Sequence, residues 1–260
     1  LLNKLESENR NPTPEEQKVL QQYSGWGAVA QDVFKPEFVE YVKRYGKQYT
    51  PEQWWSSQPD TAKAYSAWYD TVGKKLHPDL GGIMTAPEWS AAEESTLNAH
   101  YTSREVIEHG LWGAVERLGF TTGKVLEPAG GIGHIFGLMP ENFVGKVKLA
   151  GIELDPISGR IFQKLYPQAD IQVKGFQDAK GIKDNSVDLI ISNFPFGKVG
   201  IFDKDRPEYS GWSIHNYFFA RSVDALKPGG VIVAITSHYT MDSVKNGQVR
   251  EYLGQRTDLV

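Results

Sequence analysis

From Tyr101 onward, short apolar runs alternate with stretches of helical pattern, and this alternation constrains the fold more than any other feature of the chain. Strand, helix and strand in succession build a parallel sheet with helices on its faces. Strands are predicted at 124–127, 147–152, 171–173, 187–192 and 231–236. Helices are predicted at 104–118 with Ser103 as cap, and at 156–165, 214–226 and 243–255. Lys227-Pro228-Gly229-Gly230 reads as a helix stop before the fifth strand. Asp258-Leu259-Val260 reads as the opening of a sixth strand. The predicted class is α/β: a mostly parallel, doubly wound, Rossmann-like sheet, truncated after the fifth strand and so a fragment of a longer polypeptide.

Residues 1–100 read differently, as a helical and aromatic-rich N-terminal region ahead of the α/β domain at 101–260. Thr13-Pro14-Glu15-Glu16 has the form of a capping box with proline at the first helical position. The helix it opens runs on until Gly25-Trp26-Gly27 breaks it. Trp54, Trp55, Trp68 and Trp89 are irregularly spaced, which suits helix packing better than a base-stacking platform.

Composition removes several classes of function. The chain has no cysteine, hence no disulfide, no thiolate metal site and no nucleophile for methylation at cytosine C5. No His/Asp/Glu cluster has metal-ligand spacing, and no phosphate-binding Gly-Lys-Ser/Thr loop is present, so neither a metal nor an ATPase is expected. No apolar run approaches the roughly 20 residues of a membrane helix, and the first residues lack signal-peptide architecture; a cytoplasmic protein without membrane contact is expected. The net charge of -4 is the wrong sign for gripping nucleic acid unaided, since phosphate contacts dominate that affinity.

In an open α/β sheet, ligands bind beyond the carboxyl ends of the strands. The first predicted strand runs into Glu127-Pro128-Ala129-Gly130-Gly131-Ile132-Gly133, a turn in which glycine permits positive φ and close approach of backbone to ligand. Glu153, at the end of the second strand, is placed to accept hydrogen bonds from ribose hydroxyls. A nicotinamide dinucleotide uses similar geometry, but its G-x-G-x-x-G spacing is not met, and Glu127 would repel a pyrophosphate. S-adenosylmethionine (SAM) has no phosphate and carries an ammonium and a sulfonium, so the same carboxylate becomes favourable.

The sharper signal is Asn193-Phe194-Pro195-Phe196 at the end of the fourth strand. An exocyclic amine on a base is a poor nucleophile because its lone pair is conjugated with the ring. The Asn193 side-chain oxygen and the Phe194 carbonyl can each accept one N–H, which favours a tetrahedral nitrogen with its lone pair turned to a methyl donor. Pro195 stiffens the turn, and Phe196 stacks on the flipped-out base.

These segments, with Gly151-Ile152-Glu153-Leu154-Asp155-Pro156, resemble the SAM-binding and catalytic motifs of N6-adenine DNA methyltransferases. His100-Tyr101-Thr102 resembles the additional N-terminal SAM motif of that group, which implies Thr102 near the methionine carboxylate. The span from Thr96 to Asp242, with Tyr23-Ser24-Gly25-Trp26-Gly27 upstream, is similar to the methyltransferase region of very large plasmid and phage methylase–helicase proteins. The resemblance implies catalysis by Asn193, Phe194, Pro195 and Phe196. It implies SAM held by Tyr101, Thr102, Glu127, Pro128, Ala129, Gly131, Gly133, Glu153 and Leu154, with Phe176 or Asp178 bordering the adenine ring. It further implies DNA as acceptor, bound weakly by this piece, with target-recognition and helicase domains elsewhere in the same polypeptide. This chain departs from the group's usual Asn-Pro-Pro-Tyr/Phe in having Phe194 for the first proline.

The long segment between Phe196 and Trp212, with Lys198, Lys204, Arg206 and Tyr209, reads either as a basic, aromatic lid over the flipped base or as an ordinary solvated loop. His134 in the glycine turn is a candidate ligand contact, and His215 a packing residue. Alternative readings are methylation of a protein glutamine, of cytosine N4, or a SAM-binding scaffold without catalysis.

Overall fold

Residues 1–45, 53, 55–95, 102–197 and 199–260 are described in the computed structural model. Five strands form one sheet: β1 (Gly123–Glu127), β2 (Val147–Glu153), β3 (Asp170–Val173), β4 (Val187–Asn193) and β5 (Leu226–Ile235). Their order is β3-β2-β1-β4-β5, and every pairing is parallel. Parallel strands are covered on both faces, so they read as near-continuous apolar runs. In β4, Val187, Leu189, Ile190 and Ile191 are all fully buried.

Alternation along each strand splits these side chains between two apolar layers. Leu126, Ile152 and Ile190 pack with Phe176, Phe194, Tyr217 and Phe218 on one face. Val125, Leu189 and Ile191 pack with Ile107, Trp112, Phe136 and Phe162 on the other. Burial of each such large side chain contributes about 2 kcal/mol. This is a doubly wound, Rossmann-like α/β fold.

Helix boundaries follow local chemistry. The Ser103 hydroxyl accepts a hydrogen bond from the Val106 N–H at 3.4 Å, and the helix it opens ends with Gly113–Arg117. Helix Pro156–Leu165 has Asp155 as N-cap, accepting from the Ser158 N–H at 2.7 Å, and proline in its first turn. Helix Ile214–Ala225 closes against β5.

Three expectations change at the C-terminal side. Pairing of β5 starts at Leu226 opposite Val187 and resumes at Val231 opposite Leu189. Lys227-Pro228-Gly229-Gly230 therefore ends the helix but bulges within the strand, with Gly229 at φ +80°. The predicted helix at 243–255 is broken into a 3₁₀ turn Val244–Asn246 and a helix Gly247–Gly254, and a separate short helix Tyr239–Asp242 precedes them. Residues 258–260 form no strand, and Leu259 and Val260 are exposed.

The chain divides into two compact units, residues 1–24 with 100–260, and residues 25–99. The first 24 residues thus belong to the unit that carries the sheet. In the capping box of helix Pro14–Gln21, the Glu16 N–H donates to Thr13 Oγ1 at 3.3 Å and the Thr13 N–H donates to Glu16 Oε2 at 2.9 Å. The inserted unit has an aromatic core in which Phe38, Tyr65 and Trp68 meet edge to face, and Trp68 Nε1 donates to the Val33 carbonyl at 2.8 Å. Trp89 is buried against Phe34 and His77. Trp68 and Trp89 are therefore packing residues, while Trp54 lies outside the described residues. Among the described residues no helix is long and apolar enough to cross a membrane.

Candidate active site at the carboxyl ends of β1, β2 and β4

The chain leaves β1 toward β2 and β3 on one side and reaches β4 and β5 on the other. The reversal of strand order therefore falls between β1 and β4, where such sheets open a crevice. Every motif picked out above that lies at a strand end is at this edge.

The turn after β1 is tightly constrained. Gly131 (φ +55°) and Gly133 (φ +85°) adopt left-handed backbone. At Gly133 an added Cβ would also lie 2.3 Å from the Phe162 ring. The Gly130 N–H donates to the Ile152 carbonyl at 2.9 Å, fastening the turn to β2. Glu153 fastens it again: one carboxylate oxygen accepts from the Gly131 N–H and the other from the Asp155 N–H, both at 2.7 Å. The Tyr166 hydroxyl donates to the Gly133 carbonyl at 2.8 Å. Tyr166 carried no motif signal; it lies 33 residues beyond the glycine it holds, and nothing local to it marks that contact.

Two carboxyl groups face each other here. Glu127 is 2% exposed, and its Oε2 has no hydrogen-bond partner. Burial, and after it the charge of Glu153, push the Glu127 carboxyl well above the usual carboxylate range. Burial raises Glu153 to about 7 despite the opposing hydrogen bonds from Asp155 and Gly131. A buried Glu127 with an unused acceptor beside a half-buried Glu153 suits a cation or a hydroxyl donor. The residues fit a ligand that carries an ammonium and ribose hydroxyls.

At the tip of β4, Asn193 is half-buried, not sunk in the core, and its Nδ2 donates to Thr102 Oγ1 at 3.1 Å. The fold thus joins residues 91 positions apart, both singled out in the sequence. The Phe194 side chain is 1% exposed, packed against Phe218 and Phe219 at ring distances of 5.8 and 5.0 Å. Its N–H donates to the Ile235 carbonyl at 3.0 Å, a bond that proline could not make. Aromatic anchoring and this bond replace the stiffness of a proline at that position. Pro195 and Phe196 are half-buried, Pro128 is buried, and Ala129 packs against the apolar layer that holds Phe194.

Other expected residues lie elsewhere. Phe176 is 2% exposed, wedged among Tyr217, Phe218 and the Arg221 guanidinium, so its ring is core rather than a wall for adenine. Asp178 is exposed just beyond β3, and Leu154 is exposed beyond β2. Tyr101 and Lys198 lie outside the described residues. His134 is hydrogen-bonded to the Gln21 backbone, and burial holds its imidazole below the usual range. His215 is buried, 3.3 Å from the Ser213 hydroxyl, with its pKa also lowered by burial.

Residues 199–212 form a pinned loop, which corrects the lid expectation. Gly200 and Ser213 form an antiparallel bridge at its base. Tyr209 is fully buried and donates to Asp224 at 2.8 Å, Arg206 pairs with Asp184 and Asp224, and Tyr217 donates to buried Asp203 at 2.5 Å. Arg206 and Tyr209 are therefore committed to the loop's own structure. Phe202, 81% exposed, is the aromatic side chain that the loop leaves in solvent.

No family profile matches this sequence. Over 167 residues it is 28% identical to "Defense against restriction protein B" of Escherichia phage P1, covering 64% of this chain but 7% of that protein. A type I restriction-modification system methyltransferase subunit from Streptococcus thermophilus superimposes with a TM-score of 0.51 and 12% identity, over 83% of this chain and 53% of the other. At that identity the likeness concerns architecture. The chain has the fold of SAM-dependent methyltransferases, with its acidic turn and Asn193 at the sheet edge where that fold binds ligands.

Proposed function

We propose that this chain is the methyltransferase unit of a larger protein and transfers the methyl group of SAM to N6 of adenine in DNA. The observation that carries the proposal is the tip of β4: Asn193, half-buried and tied to Thr102, is followed by a Phe194 backbone anchored by its own buried ring. Glu127 would hold the cofactor's ammonium, Glu153 its ribose hydroxyls, and the Gly131–Gly133 turn its backbone-facing edge. SAM supplies an electrophilic methyl group. The chain's own residues supply orientation: the Asn193 carboxamide and the Phe194 carbonyl accept the two amine hydrogens, and Phe196 packs on the base. Adenine is preferred over other amines because the tetrapeptide begins with asparagine and because the phage and streptococcal proteins are both named for restriction. The net charge of -4 accords with DNA being held chiefly by other parts of the larger protein.

The test is Asn193→Ala in the full-length protein, assayed for methyl incorporation into unmodified DNA and for SAM affinity by calorimetry. Transfer is expected to fall by roughly 100-fold, the size seen when one transition-state hydrogen bond is removed, with SAM affinity nearly unchanged. Intact SAM binding with no methylation of DNA by the unaltered protein would instead overturn the DNA reading, and a scaffold would follow if no protein acceptor is methylated either.

A further inference from the structure

The cofactor turn rests against a part of the chain that no motif includes. Ile132, the residue between left-handed Gly131 and Gly133, is 1% exposed and packs with Leu5, Leu20 and Ile161. Leu5 and Leu20 come from the two N-terminal helices, Leu2–Ser7 and Pro14–Gln21. The second of these ends where the Gln21 backbone hydrogen-bonds His134, the first residue after the turn.

The same segment grips helix Pro156–Leu165. Arg160 donates to both carboxylate oxygens of Glu6, at 2.7 and 2.5 Å, and to Asn3 at 3.1 Å. Lys164 donates to the Arg10 carbonyl at 2.8 Å. Arg10 in turn forms a two-pronged pair with Glu16, at 2.6 and 2.7 Å, tying the connection between the two helices to the second of them. That gripped helix carries Phe162, whose ring abuts Gly130 and Gly133, and starts at Asp155, whose N–H is bound by Glu153.

We infer that residues 1–24 form a positioning clamp that sets the shape of the SAM turn, with Leu20, Leu5 and Glu6 as its working side chains. The inference rests on the SAM reading of the site. The clamp acts on the turn from two directions, through Ile132 and His134 directly and through the Phe162 helix indirectly. A close-packed contact of this kind transmits small displacements rather than absorbing them.

The experiment compares Leu20→Ala with Leu253→Ala, a buried leucine of a separate apolar cluster with Val223 and Val249. Glu6→Gln is added as a milder variant, and Leu20→Met as the conservative control. SAM affinity is measured by calorimetry, melting temperature by fluorescence, and amide exchange over residues 130–137 by mass spectrometry. Leu20→Ala is expected to weaken SAM binding roughly tenfold, because misplacing a binding group by a fraction of an ångström is enough. It should also speed exchange in the turn, and Leu20→Met should restore both. Leu253→Ala should lower the melting temperature comparably while leaving SAM affinity and turn exchange within about twofold of the unaltered chain. Glu6→Gln should move turn exchange in the same direction as Leu20→Ala. Equal effects of Leu20→Ala and Leu253→Ala on both readouts would overturn the clamp. If the unaltered chain binds no SAM, the cofactor reading fails, and the exchange comparison still decides whether residues 1–24 position the turn.

Discussion

Glu127 lies out of reach of water with an oxygen that accepts nothing, beside a second carboxylate that burial also disfavours. Both carboxyls have folded-state pKa values above their unfolded ones, so the folded protein binds more protons than the unfolded chain between the two values. Stability from this pair is accordingly present at lower pH and declines as pH rises, from the ordinary 4.5 through about 7 for Glu153 and beyond for Glu127. The ligand-free protein is expected to melt at progressively lower temperature between about pH 5 and pH 8. Glu127→Gln should flatten that slope and raise the melting temperature at the alkaline end. Saturating SAM should flatten it as well, because a cation favours the charged carboxylates. A pH series of melting curves decides the matter; a steeper slope in Glu127→Gln would contradict it.

At the scale of elements, one acid gathers several of the contacts that hold the loop at 199–212. Asp224, on helix Ile214–Ala225, accepts from Tyr209 at 2.8 Å and Tyr252 at 2.5 Å and pairs with Arg206 at 3.3 Å. Asp224→Ala leaves the hydroxyls of buried Tyr209 and half-buried Tyr252 without their acceptor, while Arg206 keeps Asp184, and should cost about 2 kcal/mol. Limited proteolysis should then cut within 199–212 before the sheet, and cutting elsewhere first would show that the loop does not depend on Asp224. This anchoring was hidden in the sequence, because Lys198, Arg206 and Tyr209 have the composition of a binding lid whether or not Asp184 and Asp224 lie beneath them. The strands were legible because buried parallel strands are apolar throughout, and their ends could be read to within a residue or two at β1 to β4. The start of β5 was not legible, since Pro228-Gly229-Gly230 breaks any run while a bulge lets pairing continue across it. Glu127, Glu153, Thr102 and Asn193 were singled out as motif residues and gather at the candidate site; between Phe176 and Asp178 the sequence left the choice open, because position after a strand does not reveal which way a ring points. Leu5 and Leu20 were assigned to the wrong half of the chain, since contact across more than a hundred residues leaves no mark in local pattern.

For the whole molecule, two units with separate apolar interiors predict two calorimetric transitions. SAM at one hundred times its dissociation constant should stabilise the unit of residues 1–24 and 100–260 by about 2.7 kcal/mol and leave the other transition in place. A single transition, or an equal shift of both, would mean that the two unfold as one. Their arrangement along the chain has a consequence even without any shared surface. Residues 25–99 are spliced between two stretches that are both fixed in the sheet-bearing unit. When the insert melts, about 75 residues of slack remain tied at both ends, and closing so long a loop costs on the order of 4 kcal/mol of chain entropy. A folded insert spares the rest of the molecule that penalty, so its cohesion steadies the neighbouring unit through entropy alone.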